Sequence, residues 1–204
     1  MKVLIACEES QIVCKAFRAK GHEAYSCDII DCSGGHPEWH IKGDVLKVLN
    51  DGWDMLLGFP PCTYLSYAGI AHWNNLGRLE KRLQALDFFS KLWLAPIKKI
   101  CLENPKGCAS PTIAKYSQEI QPYYFGDPHL KTTWLWLKGL PSLEHYQVDT
   151  LFYQKTHVRK PEPISTDKTE RKKKRYYADG FSRDPKTRSK TFPGIANAMA
   201  EQWG

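Results

Sequence analysis

No apolar run in this chain of 204 residues approaches the length needed to span a membrane. The opening stretch Met1-Lys2-Val3-Leu4-Ile5-Ala6 meets Glu8-Glu9 too soon to be a secretory signal, so a cytoplasmic protein without membrane contact is expected. No C-x-x-C pair occurs among the seven cysteines, an odd and scattered set at positions 7, 14, 27, 32, 62, 101 and 108. That pattern suits reduced thiols better than a disulfide framework. Internal repeats are absent. Acidic residues are the minority, 22 against 29 Lys plus Arg, and the resulting charge of +7 favours a polyanionic partner. Much of the excess lies in Lys168-Thr169-Glu170-Arg171-Lys172-Lys173-Lys174-Arg175, which reads equally as a solvated loop and as a phosphate contact.

What is present suits one domain, with 42% hydrophobic residues and enough length for a sizeable core. Lys2 to Cys7 is an apolar run read as a buried strand. Ile12, Val13, Ala16, Phe17 and Ala19 then recur at helical spacing up to the stop at Lys20-Gly21. Ala24 to Ile30 reads as a second strand, a third short segment surrounds Gly43-Asp44-Val45, and Leu46 to Leu49 reads as a helical turn. Met55-Leu56-Leu57 is a fourth strand, Arg78 to Leu94 the longest helix, and Ile100-Cys101-Leu102 a fifth strand. The helix keeps Leu79, Leu83, Leu86, Phe89 and Leu92 in step. Alternating strand and helix predict a Rossmann-like α/β fold, a doubly wound and mostly parallel sheet. Thr132 to Leu137 is a further strand, with Trp134 and Trp136 read as core, and Phe192 to Ala200 is a final helix. Between them, residues 145 to 190 lose periodicity and turn basic, as a long functional loop or rudimentary subdomain does.

In such sheets the binding crevice lies beyond the carboxyl ends of the strands. Those ends carry Cys7-Glu8, Asp28, Asp44, Pro61-Cys62 and Glu103-Asn104. Cys62 follows two prolines, Pro60 and Pro61, which present its side chain from a stiff turn. A lone cysteine after a strand is ordinarily a small buried hydrophobe, but the Pro-Pro turn and the carboxylate of Glu103 point to a nucleophile with a proton partner. Asp28 and Asp44 read equally well as turn acids that end strands. His129 and Lys131 are either surface residues or part of a substrate site. Cys27, Cys32, His36 and His40 match no common zinc spacing, and no metal site is expected.

In this order the motifs resemble the DNA cytosine-5 methyltransferase family, and most of all its short members predicted in phage genomes. Gly58-Phe59-Pro60-Pro61-Cys62 resembles the Pro-Cys nucleophile motif, with Ser66 where the motif often continues with serine. Glu103-Asn104 resembles the Glu-Asn motif whose glutamate holds the cytosine ring. Gly43-Asp44-Val45 resembles the element that meets the adenine of S-adenosylmethionine, and Asp28, beside Ile29, falls where an acid contacts its ribose. Ile195-Ala196-Asn197-Ala198 resembles the C-terminal element that closes the cofactor pocket. The resemblance spans nearly the whole chain, and the Pro-Cys and Glu-Asn pair is its specific part.

It implies the class I methyltransferase fold, S-adenosylmethionine as cofactor and cytosine C5 in DNA as the target, in the cytoplasm of a bacterium or phage-infected host. Cys62 would attack C6, Glu103 would bond the ring N3 and exocyclic amine, and Pro61, Asn104 and Lys131 would complete the catalytic set. Cys7, Glu8, Ser10, Asp28, Ile29, Asp44, Val45, Pro60, Asn197 and Ala198 would line the cofactor. A base in a duplex must be flipped out to react, and Lys172, Lys173, Lys174 and Arg175 would hold phosphates.

The chain departs from the family at three places. Cys7-Glu8-Glu9-Ser10-Gln11 lacks the glycines of the first motif. His129-Leu130-Lys131-Thr132-Thr133 stands where the family has Gln-x-Arg-x-Arg, with Lys131 for the catalytic arginine. Residues 141 to 190, inserted before the last helix of a single domain, are short for a target-recognition module. These departures keep two alternatives open: the same chemistry on a cytosine nucleotide or RNA, or a catalytically silent nucleic-acid-binding relative. A homodimer or a separate specificity partner would compensate for the short recognition region.

Overall fold

Alternate residues of the first strand face opposite cores, and that alternation sets the layers of the molecule. In this computed structural model, which describes residues 1–149, 154–157, 160–162, 165–166, 174–175 and 190–204, strand β1 spans Lys2–Ala6. Its Val3 and Ile5 join a core with Val13, Cys14 and Phe17 of helix α1 (Ile12–Ala19). Leu4 and Ala6 join the core on the other face, with Phe89 and Leu92 of helix α2 (Arg78–Trp93). A strand buried on both faces must be apolar throughout, as Val3-Leu4-Ile5-Ala6 is, each at 0% exposure.

Strands β2 (Glu23–Asp28), β3 (His40–Lys42), β4 (Met55–Gly58), β5 (Lys99–Pro105), β6 (Gln118–Ile120) and β7 (Thr133–Lys138) complete a seven-stranded sheet. Its order is β3-β2-β1-β4-β5-β7-β6. The first five strands in that order pair in parallel, while β7 runs antiparallel to both β5 and β6. The short α3 (Ala109–Thr112) lies on the α2 face, and α4 (Pro193–Trp203) covers the other face beside α1. This is the doubly wound, Rossmann-like α/β architecture expected from the alternation of strand and helix.

Strand order reverses between β1 and β4, the point at which a crevice opens beyond the strand ends. Phe59 N–H donates to the Ala6 carbonyl at 2.9 Å, so the loops after these two strands leave the sheet side by side.

Several boundaries differ from expectation for local reasons. β2 ends at Asp28, whose Oδ1 accepts Ile30 N–H at 3.3 Å and turns the chain, leaving Ile29 and Ile30 exposed. The third strand ends at Lys42, before Gly43. Asp44 accepts Leu46 N–H at 3.0 Å and so starts a 3-10 turn over Val45–Lys47 rather than extending a strand or an α-helix. β5 runs on through Pro105, because antiparallel β7 pairs with it as far as Pro105 and Thr133. Glu103 and Asn104 therefore lie within a strand, not beyond it. Leu79 and Leu83, in step with the core residues of α2, are 60% and 58% exposed, so only the C-terminal half of that helix is covered. Trp134 and Trp136 are core, as read. Before α4, two antiparallel pairs form, β8 (Tyr146–Asp149) with β9 (Gln154–His157) and β10 (Ser165–Thr166) with β11 (Lys174–Arg175). Among the described residues no helix is long and apolar enough to cross a membrane.

Candidate active site

Cys62 sits at the top of a turn pinned from both sides. Its carbonyl accepts the N–H groups of Leu65 and Ser66 at 3.0 and 2.9 Å, which closes the turn after Pro60-Pro61. Beneath it, buried Asn104 donates from Nδ2 to the Pro60 carbonyl at 2.7 Å. The far side is stitched to the chain after β5. Tyr67 N–H donates to Lys106 O at 3.0 Å, Cys108 N–H to Leu65 O at 2.9 Å, and Ser66 bridges Gly107. A Cβ on Gly107 would collide with the Leu65 carbonyl, so this contact requires glycine. Sequence reading missed Gly107, since a lone glycine after Asn-Pro-Lys carries no signal until its neighbour is known.

Of the seven cysteines, Cys62 is the exposed one. Cys14, Cys27, Cys101 and Cys108 are buried, and burial pushes each of these thiols up, to about 12 for Cys14 and about 11 for Cys27. Thiols held protonated are poor nucleophiles, and with Cys7 and Cys32 half-buried, Cys62 is the most accessible candidate.

Glu103 stands on the adjacent strand. Burial pushes its carboxyl above the ordinary carboxylate range, while the Lys131 ammonium and a hydrogen bond with Thr133 pull against that shift. Strand parity explains the grouping: Glu103 pairs with Leu135, so Thr133 lies on the same face and Lys131 continues that parity beyond the strand. Thr133, only 3% exposed, was given no site role in the sequence although it stands at the second arginine position of the Gln-x-Arg-x-Arg segment, and the β5–β7 register is what sets it beside Glu103. Lys131 also holds its ammonium 5.7 Å from the Phe192 ring, which lies 4.9 Å from His129.

Across the switch point, Cys7 and Gln11 adopt left-handed backbone angles, φ 60° and 57°. Such angles favour glycine, and here two larger residues bear the strain in the turn that lacks it. Cys7 faces Asp28 and Asp44: burial raises its thiol, and the two carboxylates raise it further together with Cys27. The ends of β1, β2 and β3 thus gather at one place. Glu8 does not join them. It is 4% exposed, and its carboxylate accepts Val13 N–H at 2.6 Å and Cys14 N–H at 3.2 Å, capping α1 from within. Burial pushes that carboxyl up to about 7. Ser10 and Val45 are buried, and Ile29 is exposed beyond β2. Gln11, missed in the sequence, exchanges hydrogen bonds with the His36 backbone at 2.7 and 3.0 Å and so ties this loop to the one after β2.

Asn197 is exposed and Ala198 half-buried on α4, whose buried face packs against α1. Just before that helix, Lys190 approaches Glu9 at 3.9 Å and Ser33 at 3.4 Å, over the first loop. Lys174 and Arg175 form β11, while Lys172 and Lys173 lie outside the described residues. His40 uses both ring nitrogens, toward Ser26 Oγ at 2.8 Å and Ile30 O at 2.9 Å, and His36 stacks on Trp39 at 3.8 Å.

No protein-family model and no curated protein matches the chain. Among solved structures, the chain is similar to a candidate DNA modification methyltransferase encoded within a prophage (E. coli), at 13% identity and a TM-score of 0.43. The match covers 66% of this chain and 45% of that one, less than half of the neighbour's length.

Proposed function

We propose that the protein is an S-adenosylmethionine-dependent methyltransferase that modifies cytosine C5 in DNA through Cys62. The observation that carries this reading is the tie between the two halves of the site. Asn104 holds the Pro60 carbonyl at 2.7 Å from the strand that carries Glu103, so the exposed thiol and the carboxyl are positioned by one piece of structure. The Pro-Cys and Glu-Asn resemblance and the convergence at the switch point support the same reading.

Cytosine C5 is a poor nucleophile until a thiolate adds to C6. As the Cys62 Sγ–C6 bond forms, the C5=C6 electron pair is released toward C5, and N3 takes a hydrogen bond or proton. A carboxyl pushed above its ordinary range is suited to donate at N3 while its second oxygen accepts from the exocyclic amine. Lys131 and Thr133 hold Glu103 in place and keep its charged form accessible for the return of the proton. After C5 is substituted, its proton leaves to water and the Cys62–C6 bond breaks, restoring the ring and the thiolate.

The residues fit the nucleoside half of the cofactor. Asp28 and Asp44 converge at the strand ends, where a ribose and an adenine would bind. The methionine half differs, because the Glu8 carboxylate occupies the α1 N–H groups that could otherwise receive a carboxylate. When bound, S-adenosylmethionine would supply an electrophilic methyl group to C5, its sulfonium leaving as the neutral thioether. The self-capped helix is also what favours a second reading, a silent nucleic-acid-binding relative.

Tritiated methyl transfer to duplex DNA, single-stranded DNA, RNA and dCMP, with wild type and Cys62→Ala, separates the two. Label in DNA that disappears in the variant is the expected result. Label only in RNA or dCMP changes the substrate and keeps the chemistry, and no label with any substrate selects the silent relative.

A further inference from the structure

Beside the Cys62 turn, the uncovered half of α2 carries cations at helical spacing. Arg78, Lys81 and Arg82 stand at i, i+3 and i+4 on one face, while Glu80 and Asp87 fall on the opposite one. Glu80 accepts from Gln84 at 3.4 Å and Asp87 pairs with Lys91 at 2.6 Å. No ion pair joins Arg78, Lys81 or Arg82 to an acid among the described residues.

Aromatic rings hold these cations instead. Arg78 and Lys81 lie 4.9 and 5.7 Å from the Tyr64 ring, and Arg82 lies 4.3 Å from the Trp73 ring. Tyr67 packs against Trp73 at 5.5 Å, which braces the platform. Arg78 also donates from Nη2 to the Thr63 carbonyl at 3.3 Å, one residue past Cys62. A stacked guanidinium uses its face and keeps most of its in-plane N–H groups for an anion. Ile70, Leu76, Leu79 and Leu83 flank the patch at 59%, 105%, 60% and 58% exposure. A cationic face with an apolar flank of that extent fits a macromolecule better than a small anion.

We propose that Arg78, Lys81 and Arg82, held on Tyr64 and Trp73, form the track that grips the phosphate backbone of DNA next to the reacting base. This rests on the reading that DNA presents its cytosine to Cys62. It assigns phosphate contact to a folded face at the turn itself, whereas the sequence pointed to the run ending at Arg175.

Fluorescence anisotropy with a labelled DNA duplex across a salt series tests it, on wild type, on Lys81→Gln with Arg82→Gln, and on the fourfold Gln variant of Lys172, Lys173, Lys174 and Arg175. The α2 pair should weaken binding and lower the slope of log affinity against log salt by about 2, roughly one for each cation removed from a phosphate. Lys81→Gln alone, at an exposed position, should lower it by about 1 and serves if the double variant fails to fold. An unchanged affinity and slope in the α2 variants, or a wild type that does not bind DNA, overturns the proposal. Salt-dependent binding through α2 without methyl transfer would leave it standing and remove the catalytic reading. Methyl transfer with an unchanged KM in the α2 double variant would do the reverse.

Discussion

Glu103 is set apart by what surrounds it more than by its position in a motif. Burial favours its protonated form, and Lys131 and Thr133 limit how far that preference goes. The sign of its effect on rate follows. If the protonated carboxyl donates to the ring, the contribution of Glu103 to the rate is full at pH below its raised pKa and falls as the pH rises through it. Glu103→Gln keeps the shape but cannot give up a proton, so kcat should drop by about 10²–10³ and the alkaline fall assigned to Glu103 should vanish from the profile. KM for DNA should change little, since the side chain acts on the base and not on the backbone. A pH–rate profile of both proteins checks this, and a Gln variant that retains the same alkaline limb would assign that limb to another group.

At the scale of the element, the site depends on how the Cys62 turn meets the end of β5. Gly107→Ala pushes a Cβ into the Leu65 carbonyl, and the backbone must part where Ser66 and Gly107 bridge. The expected cost is about 1–3 kcal/mol of stability, the usual range for overpacking. A larger loss of kcat than of folded fraction is expected, because the thiol moves with the turn. Thermal denaturation and kinetics on the same preparation measure both, and parallel losses would reduce Gly107 to a folding residue. This junction also marks how far the sequence could be read. Met55-Leu56-Leu57 and Ile100-Cys101-Leu102 are buried on both faces and gave themselves away as continuous apolar runs, and the Pro-Pro turn between strand and thiol was equally plain. Gly107 was hidden, and the roles of Thr133 and Gln11 were not legible even though both lie in motif segments, because each acts through a partner far along the chain or through strand register. The N-terminal half of α2 misled for the opposite reason: Leu79 and Leu83 keep helical spacing, and only the tertiary structure shows that no described residue covers them.

For the molecule as a whole, the question is whether residues 146–189 belong to the frame or are carried by it. The residues on either side of them are fixed to the frame. Glu144 N–H donates to Gln202 Oε1 at 2.7 Å and Gln202 Nε2 to the Glu144 carbonyl at 2.9 Å, fixing the chain before the insertion to the last turn of α4. Leu143 joins Met199, Ala200 and Trp203 in the core shared with α1, and Trp203 Nε1 donates to the Pro141 carbonyl at 3.0 Å. Re-entry is fixed as well, by Lys190 over Glu9 and Ser33 and by Phe192 against His129. The two anchor points sit at opposite ends of an 11-residue helix. A helix of that length spans roughly 16 Å, so a linker of about twelve Gly and Ser residues reaches between them without tension. A chain with 146–189 replaced by such a linker should therefore unfold in one cooperative step and keep the native-like circular dichroism of its sheet. It should also keep salt-dependent DNA affinity if the α2 face grips the phosphates, and lose preference among target sequences if the insertion reads bases. Loss of cooperative unfolding would show that the inserted residues complete the core; retained folding with abolished DNA binding would move the phosphate contacts back to the insertion.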